Sequence, residues 1–307
     1  MQPLPVAVVG AGPIGLAAAA HLVQHGIEPL VLEAGDTVGA SVASWGHVRV
    51  FSTWRSNIDA AAARLLANAG WTVPDLEALP TGREFVDDYL VPLSQVPELR
   101  HRVQVGARVT SISRTVDKVT HARRGSPFVV RFTLDDDEHE VQAGSVIDAS
   151  GTWLTPNPLG ANGTPARGEA RHSARLFYGI PDVLGRDRDR YAGRTVAVVG
   201  SGHSAANAVL ALLALGEQHP TTEVHWLIRG TTLRAVGGGN ADQLVARGRL
   251  GATVGVAVAS ETVQLHERFP VRAISEVDGR LELISDDQRL GGSTKSLWRP
   301  GNAPTAP

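Results

Sequence analysis

The stretch at residues 6–33 constrains the fold more than any other part of this 307-residue chain. It begins with the apolar run Val6–Val9, which is typical of a strand buried in a parallel sheet. The glycine-rich sequence GAGPIG follows at residues 10–15, and the alanine-rich residues 16–25 predict a helix. A second apolar strand then ends at Glu33. This order of strand, glycine turn, helix, strand and acid predicts a βαβ unit that begins an α/β domain.

Each glycine of this turn has a physical role in holding a dinucleotide. Gly10 permits the tight turn from strand to helix, Gly12 lets a pyrophosphate approach the backbone, and Gly15 lets the helix pack closely on the sheet. With Pro13 they form a candidate cofactor-binding turn at a helix N-terminus, which favours phosphate. Glu33 can accept hydrogen bonds from ribose hydroxyls. An ordinary glycine turn is the alternative, and the elements around the motif argue against it.

The composition is that of a packed protein with room for two domains, since 43% of the residues are hydrophobic and 20% are charged. A net charge of −2 gives no reason to expect a nucleic acid or an anionic membrane as a partner. No apolar run could span a bilayer, and the N-terminus lacks the basic leader of a signal peptide. We therefore expect a cytoplasmic protein, with no expectation for its oligomeric state.

The chain contains no cysteine. This excludes disulfides, cysteine zinc sites and a thiol–disulfide relay, because each of these needs a sulfur on the protein. The 11 histidines include no i, i+4 pair that forms a metal-binding pattern with a nearby acid, so we expect no metal site.

Aromatic and basic side chains gather at residues 45–57, just after the first βαβ unit. Trp45, Arg49 and Asn57 stand out there, because aromatic residues make up only 5% of the chain. One interpretation is a core segment capped by surface arginines. The other is a wall beside a planar cofactor, in which rings pack and the Arg and Asn side chains donate hydrogen bonds. The fingerprint just upstream favours the second interpretation.

The remainder of the first domain shows weaker patterns. We expect a helix at residues 58–69, a capped helix at residues 81–89, a strand at residues 103–112 and a hairpin joining residues 128–134 to 139–141. The hairpin gives this domain a small antiparallel β element.

A further parallel strand is predicted at residues 146–148, and it ends in a corner of small residues that includes Ser150 and Gly151. Closely spaced prolines then indicate an extended exit from the domain. We expect residues 1–157 to form the first domain and residues 158–191 to form a surface linker.

A second fingerprint follows a predicted strand at residues 195–199. Its turn, GSGHSA at residues 200–205, is an accepted variant of the motif, and a helix is expected over residues 206–215. The next predicted strand ends at Arg229, and we expect the whole domain to cover residues 192–290. Its candidate binding residues are Gly200, Gly202, His203, Ser204, Arg229 and Arg234.

The two domains differ in the residue that ends the second strand. Glu33 suits an unphosphorylated ribose, as in FAD or NAD, whereas Arg229 can pair with the 2′-phosphate of NADP, with Arg234 as a second candidate partner. A plain surface arginine is the alternative for Arg229. Two sites of opposite charge predict two cofactors, FAD in the first domain and NADPH in the second.

With both fingerprints and the corner at residues 148–151, the chain resembles the two-dinucleotide-domain flavoproteins, and among them the flavin-dependent monooxygenases most. The resemblance implies two Rossmann-like three-layer α/β domains. It also implies a position for Asn57 near the reactive edge of the flavin and for residues 45–57 along it. The residues that it implies at the FAD are Gly10, Gly12, Gly15, Glu33, Ser150 and Gly151.

The linker departs from the monooxygenase signature FxGxxxHxxxW. Gly168 and His172 match it in spacing, whereas Ala166 and Leu176 replace its Phe and Trp. The oxygenase subtype is therefore left open. Disulfide-reductase relatives resemble the chain in fold, but a chain without cysteine lacks their redox pair.

The end of the chain also departs from the family. Its relatives return from the second domain to the FAD domain, and this return is missing here, which suggests a C-terminal truncation. Residues 271–277 and 281–284 predict a hairpin around Asp278 and Gly279. Residues 291–307 have no periodicity, and we expect them to be disordered.

These observations predict an FAD-dependent oxidoreductase that uses NADPH to reduce the flavin and acts, like a monooxygenase, on a small molecule with O2. A flavin reductase or dehydrogenase that passes electrons to a quinone or a protein is one alternative. A non-catalytic nucleotide-binding remnant is the other, because the return to the FAD domain is missing.

Overall fold

A computed structural model describes residues 3–119, 123–231, 233 and 242–293. The chain divides into two compact units, Met1–Gly151 and Thr152–Pro307, so the boundary lies before the predicted domain end at residue 157. Each unit has a parallel sheet and an antiparallel sheet.

The first unit is built on a four-stranded parallel sheet. Its helices and strands in chain order are β1 (Val6–Val9), α1 (Pro13–Gln24), β2 (Pro29–Leu32), α2 (Ala40–Ala43), α3 (Trp54–Asn57), α4 (Ala60–Asn68), α5 (Gly82–Phe85), a π-helical turn (Val86–Leu90), α6 (Val91–Gln95), β3 (Val103–Gln104), β4 (Arg108–Arg114), β5 (Phe128–Leu134), β6 (Asp137–Ala143) and β7 (Ser145–Asp148). The strand order is β3-β2-β1-β7, with every neighbour parallel. This confirms the predicted α/β architecture.

The core of the first unit packs the helices on this sheet. Val8 and Leu16 are fully buried in one cluster with residues of α4 and α6. The start of α4 is fixed by Asp59, whose carboxylate accepts hydrogen bonds from the N–H groups of Ala61 and Ala62. The predicted capping box at Thr81 is also present and begins α5.

The antiparallel sheet of the first unit has the order β4-β5-β6. Asp135 and Asp136 join β5 to β6 with positive φ angles of 52° and 66°, the conformation that a two-residue hairpin turn requires. This confirms the predicted hairpin. The predicted single strand at residues 103–112 is wrong, because Gly106, with a φ of 73°, divides it into β3 and β4 in different sheets.

The second unit repeats the parallel arrangement. Its helices and strands are α7 (Arg188–Tyr191), β8 (Thr195–Val199), α8 (His203–Gln218), β9 (Glu223–Leu227), α9 (Val245–Ala259), β10 (Gln264–His266), β11 (Ala273–Val277), β12 (Arg280–Ile284) and β13 (Arg289–Ser293). The parallel sheet has the order β10-β9-β8, and the antiparallel sheet has the order β11-β12-β13. The predicted hairpin at Asp278 and Gly279 is confirmed.

The segment predicted as a surface linker packs into the second unit. Leu159, Ala166 and Leu176 are buried in one apolar cluster with Phe269. The carboxylate of Glu169, only 5% exposed, accepts hydrogen bonds from the N–H groups of Leu159 and Ala166 and from the Tyr178 hydroxyl. A buried charge needs such partners, and together they fix the path of the segment. The weak periodicity of the segment hid this packing.

The ends of two predicted elements also differ. Helix α8 continues to Gln218, beyond its predicted end at residue 215. Residues 291–293 belong to β13, whereas the sequence assigned them to a disordered tail. The remainder of that predicted tail, residues 294–307, lies outside the described residues. In the part of the chain that the structure describes, no helix has the length and apolarity needed to cross a membrane.

Two histidines meet on the parallel sheet of the second unit. Nδ1 of His225 lies 3.0 Å from Nε2 of His266, and the His225 ring is 8% exposed. Burial, together with the nearby His266, lowers the pKa of His225, and burial lowers the pKa of His266. A neutral pair can share one hydrogen bond, whereas a doubly protonated pair would repel.

We expect the second unit to lose stability in mild acid. Both folded-state pKa values lie below the ordinary value of 6.5, so below that pH the unfolded chain binds protons that the folded chain does not. This contribution to stability is complete above pH 6.5 and is lost as the pH falls through the lower folded-state pKa values of the two histidines. Thermal unfolding across this range measures it.

The variant H266Q should show a shallower fall of the unfolding midpoint with pH than the unchanged chain, because it removes one titrating group. H101Q, a change at an exposed histidine of the first unit, serves as the control. If the unfolding midpoints of H266Q and H101Q fell equally with pH, the loss of stability in acid would not come from the pair of His225 and His266.

Candidate cofactor sites

The first glycine turn depends on two close backbone approaches. A Cβ at Gly15 would lie 1.9 Å from the carbonyl oxygen of Gly10, far inside van der Waals contact. A Cβ at Gly10 would lie 2.7 Å from the carbonyl oxygen of Ala149, and Gly10 has a φ of 97°. Both positions therefore require glycine: Gly15 so that α1 can begin there, and Gly10 so that the turn from β1 to α1 can pass close to the residue after β7.

Gly12 differs from these two glycines. A Cβ there would meet no protein atom within 4 Å, so the space beside Gly12 is open. Gly12 is the N-cap of α1, Pro13 occupies the first turn, and no described side chain caps the helix. Open space and unpaired N–H groups at a helix N-terminus fit the pyrophosphate of a dinucleotide.

Glu33 is fixed by the backbone on both sides. Its Oε2 accepts a hydrogen bond from the N–H of Ala11 at 2.7 Å, and its Oε1 accepts one from the N–H of Gly35 at 2.8 Å. A carboxylate has about four acceptor positions, so two remain for ribose hydroxyls. The negative charge also disfavours a phosphate on that ribose. The geometry fits the adenosine of FAD.

The corner after β7 lies beside the first turn. The N–H and hydroxyl of Ser150 both donate to Oδ1 of Asp148, at 3.1 Å and 2.6 Å. The Ser150 hydroxyl, followed by its N–H, lowers the pKa of Asp148. Gly151 has a φ of 66°, with open space where a Cβ would be. Sequence reasoning named Ser150 and Gly151 but missed the organising role of Asp148.

The aromatic stretch at residues 45–57 has a large packing role. Trp54 is 4% exposed and packs against Phe85, with ring centroids 5.8 Å apart, so it is a core residue. Trp45 is half-buried, and a Cβ at Gly82 would lie 2.9 Å from its ring. Part of this stretch therefore agrees with the interpretation of residues 45–57 as a core segment, because its tryptophan rings pack inside the protein.

The polar residues of the same stretch make local contacts. Arg49 is exposed; its guanidinium donates to the carbonyl oxygen of Leu79 and lies 3.8 Å from a carboxylate oxygen of Glu84. The Asn57 amide donates to the carbonyl oxygen of Ser52 at 3.1 Å and accepts from the Ser52 hydroxyl at 2.6 Å. A role for Trp45, Arg49 or Asn57 at the cofactor stays a prediction.

The second glycine turn is anchored by a buried tryptophan. Gly200 has a φ of 125°, and its carbonyl oxygen accepts a hydrogen bond of 2.6 Å from Nε1 of Trp226, which is fully buried. Gly202 is the N-cap of α8, and no described side chain caps that helix. The turn therefore presents backbone N–H groups as the first turn does.

His203 and Ser204 form the first turn of α8, and both are half-buried. Burial, followed by the positive charge of Arg247, lowers the pKa of His203. Arg247 pairs with Asp242 through two contacts of 2.7 Å. This pair sits at the start of α9, close enough to His203 to affect its charge, and sequence reasoning did not find it.

Arg229 follows β9 at the same edge of the sheet. Its side chain is exposed, and one guanidinium N–H group donates to the carbonyl oxygen of Ala161 at 3.2 Å. A guanidinium has five N–H donors, so this contact leaves most of them for a phosphate. The second predicted partner, Arg234, lies outside the described residues.

The partial linker signature has a structural explanation. Gly168 has a φ of 89°, and a Cβ there would lie 2.2 Å from the carbonyl oxygen of Ile274 in β11. His172 is 8% exposed, with Nδ1 3.8 Å from a carboxylate oxygen of Glu276. Ala166 and Leu176, which replace the Phe and Trp of the signature, are both buried. The segment thus keeps an apolar packing role with smaller side chains.

We expect substitutions at Gly12 and Gly15 to separate cofactor binding from folding. G12A should change the free energy of unfolding by at most about 1 kcal/mol but weaken FAD binding at least about 10-fold, because the methyl group takes the space of the pyrophosphate. G15A should destabilise the fold by about 1–3 kcal/mol or more. Chemical denaturation and FAD titration measure the two effects.

G125A is the matched control, since a Cβ at Gly125 also meets no atom within 4 Å and lies away from the turn. It should change neither quantity. Unchanged FAD affinity in G12A would place the pyrophosphate elsewhere.

Comparisons with known proteins agree with this fold. The profile of the family described as pyridine nucleotide-disulphide oxidoreductase matches residues 7–293. No curated protein is significantly similar to the chain in sequence. Among solved structures, bacillithiol disulfide reductase Bdr from Bacillus cereus has a TM-score of 0.70 at 21% identity. The similarity covers 97% of this chain and 77% of the reductase chain.

Two monooxygenases are also similar in structure. The cadaverine monooxygenase DfoA from Erwinia amylovora, bound to FAD, has a TM-score of 0.69 at 13% identity, covering 99% of this chain and 80% of its own. The ornithine N-hydroxylase KtzI from Kutzneria sp. 744, with FAD and NADP+, has a TM-score of 0.63 at 18% identity. The similarity covers 97% of this chain and 80% of the KtzI chain. The chain therefore belongs to the pyridine nucleotide-disulphide oxidoreductase family.

Proposed function

We propose that this protein binds FAD in its first unit and NADPH in its second, and that NADPH reduces the flavin for a monooxygenase-like reaction on a small molecule. The observation that carries the proposal is the opposite charge at two equivalent positions, Glu33 after β2 and Arg229 after β9. An acid favours a free ribose hydroxyl and an arginine favours a 2′-phosphate, so the two units select different dinucleotides.

The residues of the first unit bind and orient the flavin cofactor. The N–H groups at the start of α1 hold its pyrophosphate, Gly12 leaves room for it, and Glu33 accepts hydrogen bonds from the ribose. Bound there, FAD would supply the redox chemistry, namely two-electron reduction by a nicotinamide donor, while the protein supplies binding and orientation.

The residues of the second unit bind the hydride donor. The N-terminus of α8 binds the pyrophosphate of NADPH, and Arg229 donates hydrogen bonds to its 2′-phosphate. His203, with its lowered pKa, is neutral near pH 7 and places no additional positive charge at this turn.

Molecular oxygen with a small-molecule substrate is the electron acceptor that we favour. A chain without cysteine has no thiol to exchange with a disulfide, which argues against a protein-based thiol relay. One structural neighbour is named as a cadaverine monooxygenase and another as an ornithine N-hydroxylase. Cadaverine and L-ornithine are therefore the first compounds to test as substrates, and the cytoplasmic location stays a prediction.

The test begins with purified protein loaded with FAD. Anaerobic NADPH should bleach the visible absorbance of the bound flavin at least about 10-fold faster than NADH at equal concentration, because Arg229 recognises the 2′-phosphate. Oxygen should then restore the absorbance. In air, a true substrate should lower the hydrogen peroxide formed per NADPH and yield a hydroxylated product.

Each alternative has its own outcome. Rapid reoxidation by a quinone but slow reoxidation by oxygen would favour a reductase or dehydrogenase. A protein that binds NADPH but cannot be loaded with FAD would be a nucleotide-binding remnant, and the proposal would be wrong. The variant R229Q should reduce the preference for NADPH over NADH while leaving FAD loading unchanged.

A further inference from the structure

The third strand of the second parallel sheet brings another arginine to the cofactor edge. Beyond β9 and β10, the N–H of Phe269 donates to the carbonyl oxygen of Ile228 at 2.9 Å, and the N–H of Arg268 donates to that of Gly230 at 3.0 Å. Arg268 therefore lies next to the segment that carries Arg229. Sequence reasoning missed it, because β10 is only three residues long and was not predicted.

The backbone at Arg268 is held in an uncommon conformation. Its φ is 49°, in the left-handed region that non-glycine residues seldom occupy. Phe269, which is 1% exposed, anchors the following residue in the core. The side-chain amide of Gln288 donates to the carbonyl oxygens of Glu267 and Arg268, at 3.3 Å and 3.2 Å. Such conformations persist where the surrounding structure holds them, often at binding sites.

The guanidinium of Arg268 is available for a ligand. The residue is exposed, and within the described ranges its side chain makes no hydrogen bond or ion pair. The neighbouring arginines Arg272 and Arg289 pair with Asp286 and Glu282. Among the described residues, Glu267 and Asp287 are acidic and lie near Arg268, Glu267 beside it in the chain and Asp287 beside Gln288. Arg229 adjoins Gly230, whose carbonyl oxygen accepts from the N–H of Arg268.

We propose that Arg268 is a second residue that determines specificity for the 2′-phosphate of NADPH, with its guanidinium opposite that of Arg229. This rests on the proposed function of the second unit. With strand order β10-β9-β8, the adenosine lies at the ends of β9 and β10, between the two arginines. A phosphate dianion can accept hydrogen bonds from both guanidinium groups and balances their repulsion. The site thus combines two cations from adjacent strands.

The test uses the full chain and two nucleotides that differ only in the phosphate of interest, adenosine 2′,5′-bisphosphate and adenosine 5′-monophosphate. Calorimetric titration of the unchanged chain and of R268Q, R229Q and R249Q gives their dissociation constants. Arg249 is exposed on α9 and follows neither β9 nor β10, so R249Q removes an equal charge from a different element. Thermal unfolding of each variant verifies that it is folded.

R268Q should weaken binding of the bisphosphate about 10-fold or more, leave binding of the monophosphate within about 2-fold, and reduce the salt dependence of bisphosphate binding. R249Q should match the unchanged chain. If R268Q binds the bisphosphate as tightly as R249Q does, whereas R229Q binds it more weakly, Arg268 does not recognise the 2′-phosphate. The proposed function would then still stand.

Two other results would also be decisive. Equal weakening of both nucleotides by R268Q would mean that Arg268 contacts the base or ribose, and the phosphate assignment would be wrong. If the chain without substitutions binds the bisphosphate no more tightly than the monophosphate, the proposed NADPH site is wrong. The inference about Arg268 would then be wrong as well.

Discussion

The close approach of two backbone segments in the first unit is the constraint on which the cofactor site depends. A Cβ at position 15 would lie only 1.9 Å from the carbonyl oxygen of Gly10, so the helix can begin there only because residue 15 is glycine. The approach sets the start of α1 against the end of β1, and the unpaired N–H groups of that helix follow from it. The backbone geometry that we propose to hold a phosphate is thus a consequence of helix–sheet packing, with no charged side chain required.

The second unit reaches a similar turn by a different contact. Nε1 of Trp226, buried in the sheet, holds the carbonyl oxygen of Gly200. The two turns then differ at the ends of the second strands, where Glu33 brings a carboxylate and Arg229 a guanidinium. Under the proposed function, similar backbone geometry with opposite side-chain charge would let one fold, present twice in a chain, select two different dinucleotides.

The parts of this fold that follow from local sequence were predictable, and the parts that depend on tertiary contacts were not. Both glycine turns, the capping box at Thr81 and the hairpin at Asp135 and Asp136 have short-range signals that match the structure. The path of residues 158–191 depends on the buried carboxylate of Glu169, whose partners lie up to ten residues away. Strand β10 is too short for periodicity to show, so Arg268 had no sequence signal.

The two hydrogen bonds that Glu33 accepts have a consequence for attempts to redesign this protein. The carboxylate joins the glycine turn to the loop after β2, so the group that we propose to discriminate between cofactors also holds two pieces of backbone together. An arginine introduced there to admit a phosphorylated ribose would leave the N–H groups of Ala11 and Gly35 without their acceptor. Exchanging cofactor preference in the first unit therefore requires a replacement acceptor for those two N–H groups. A single substitution at Glu33 cannot both admit a phosphate and supply that acceptor. Specificity and loop architecture would have to evolve together.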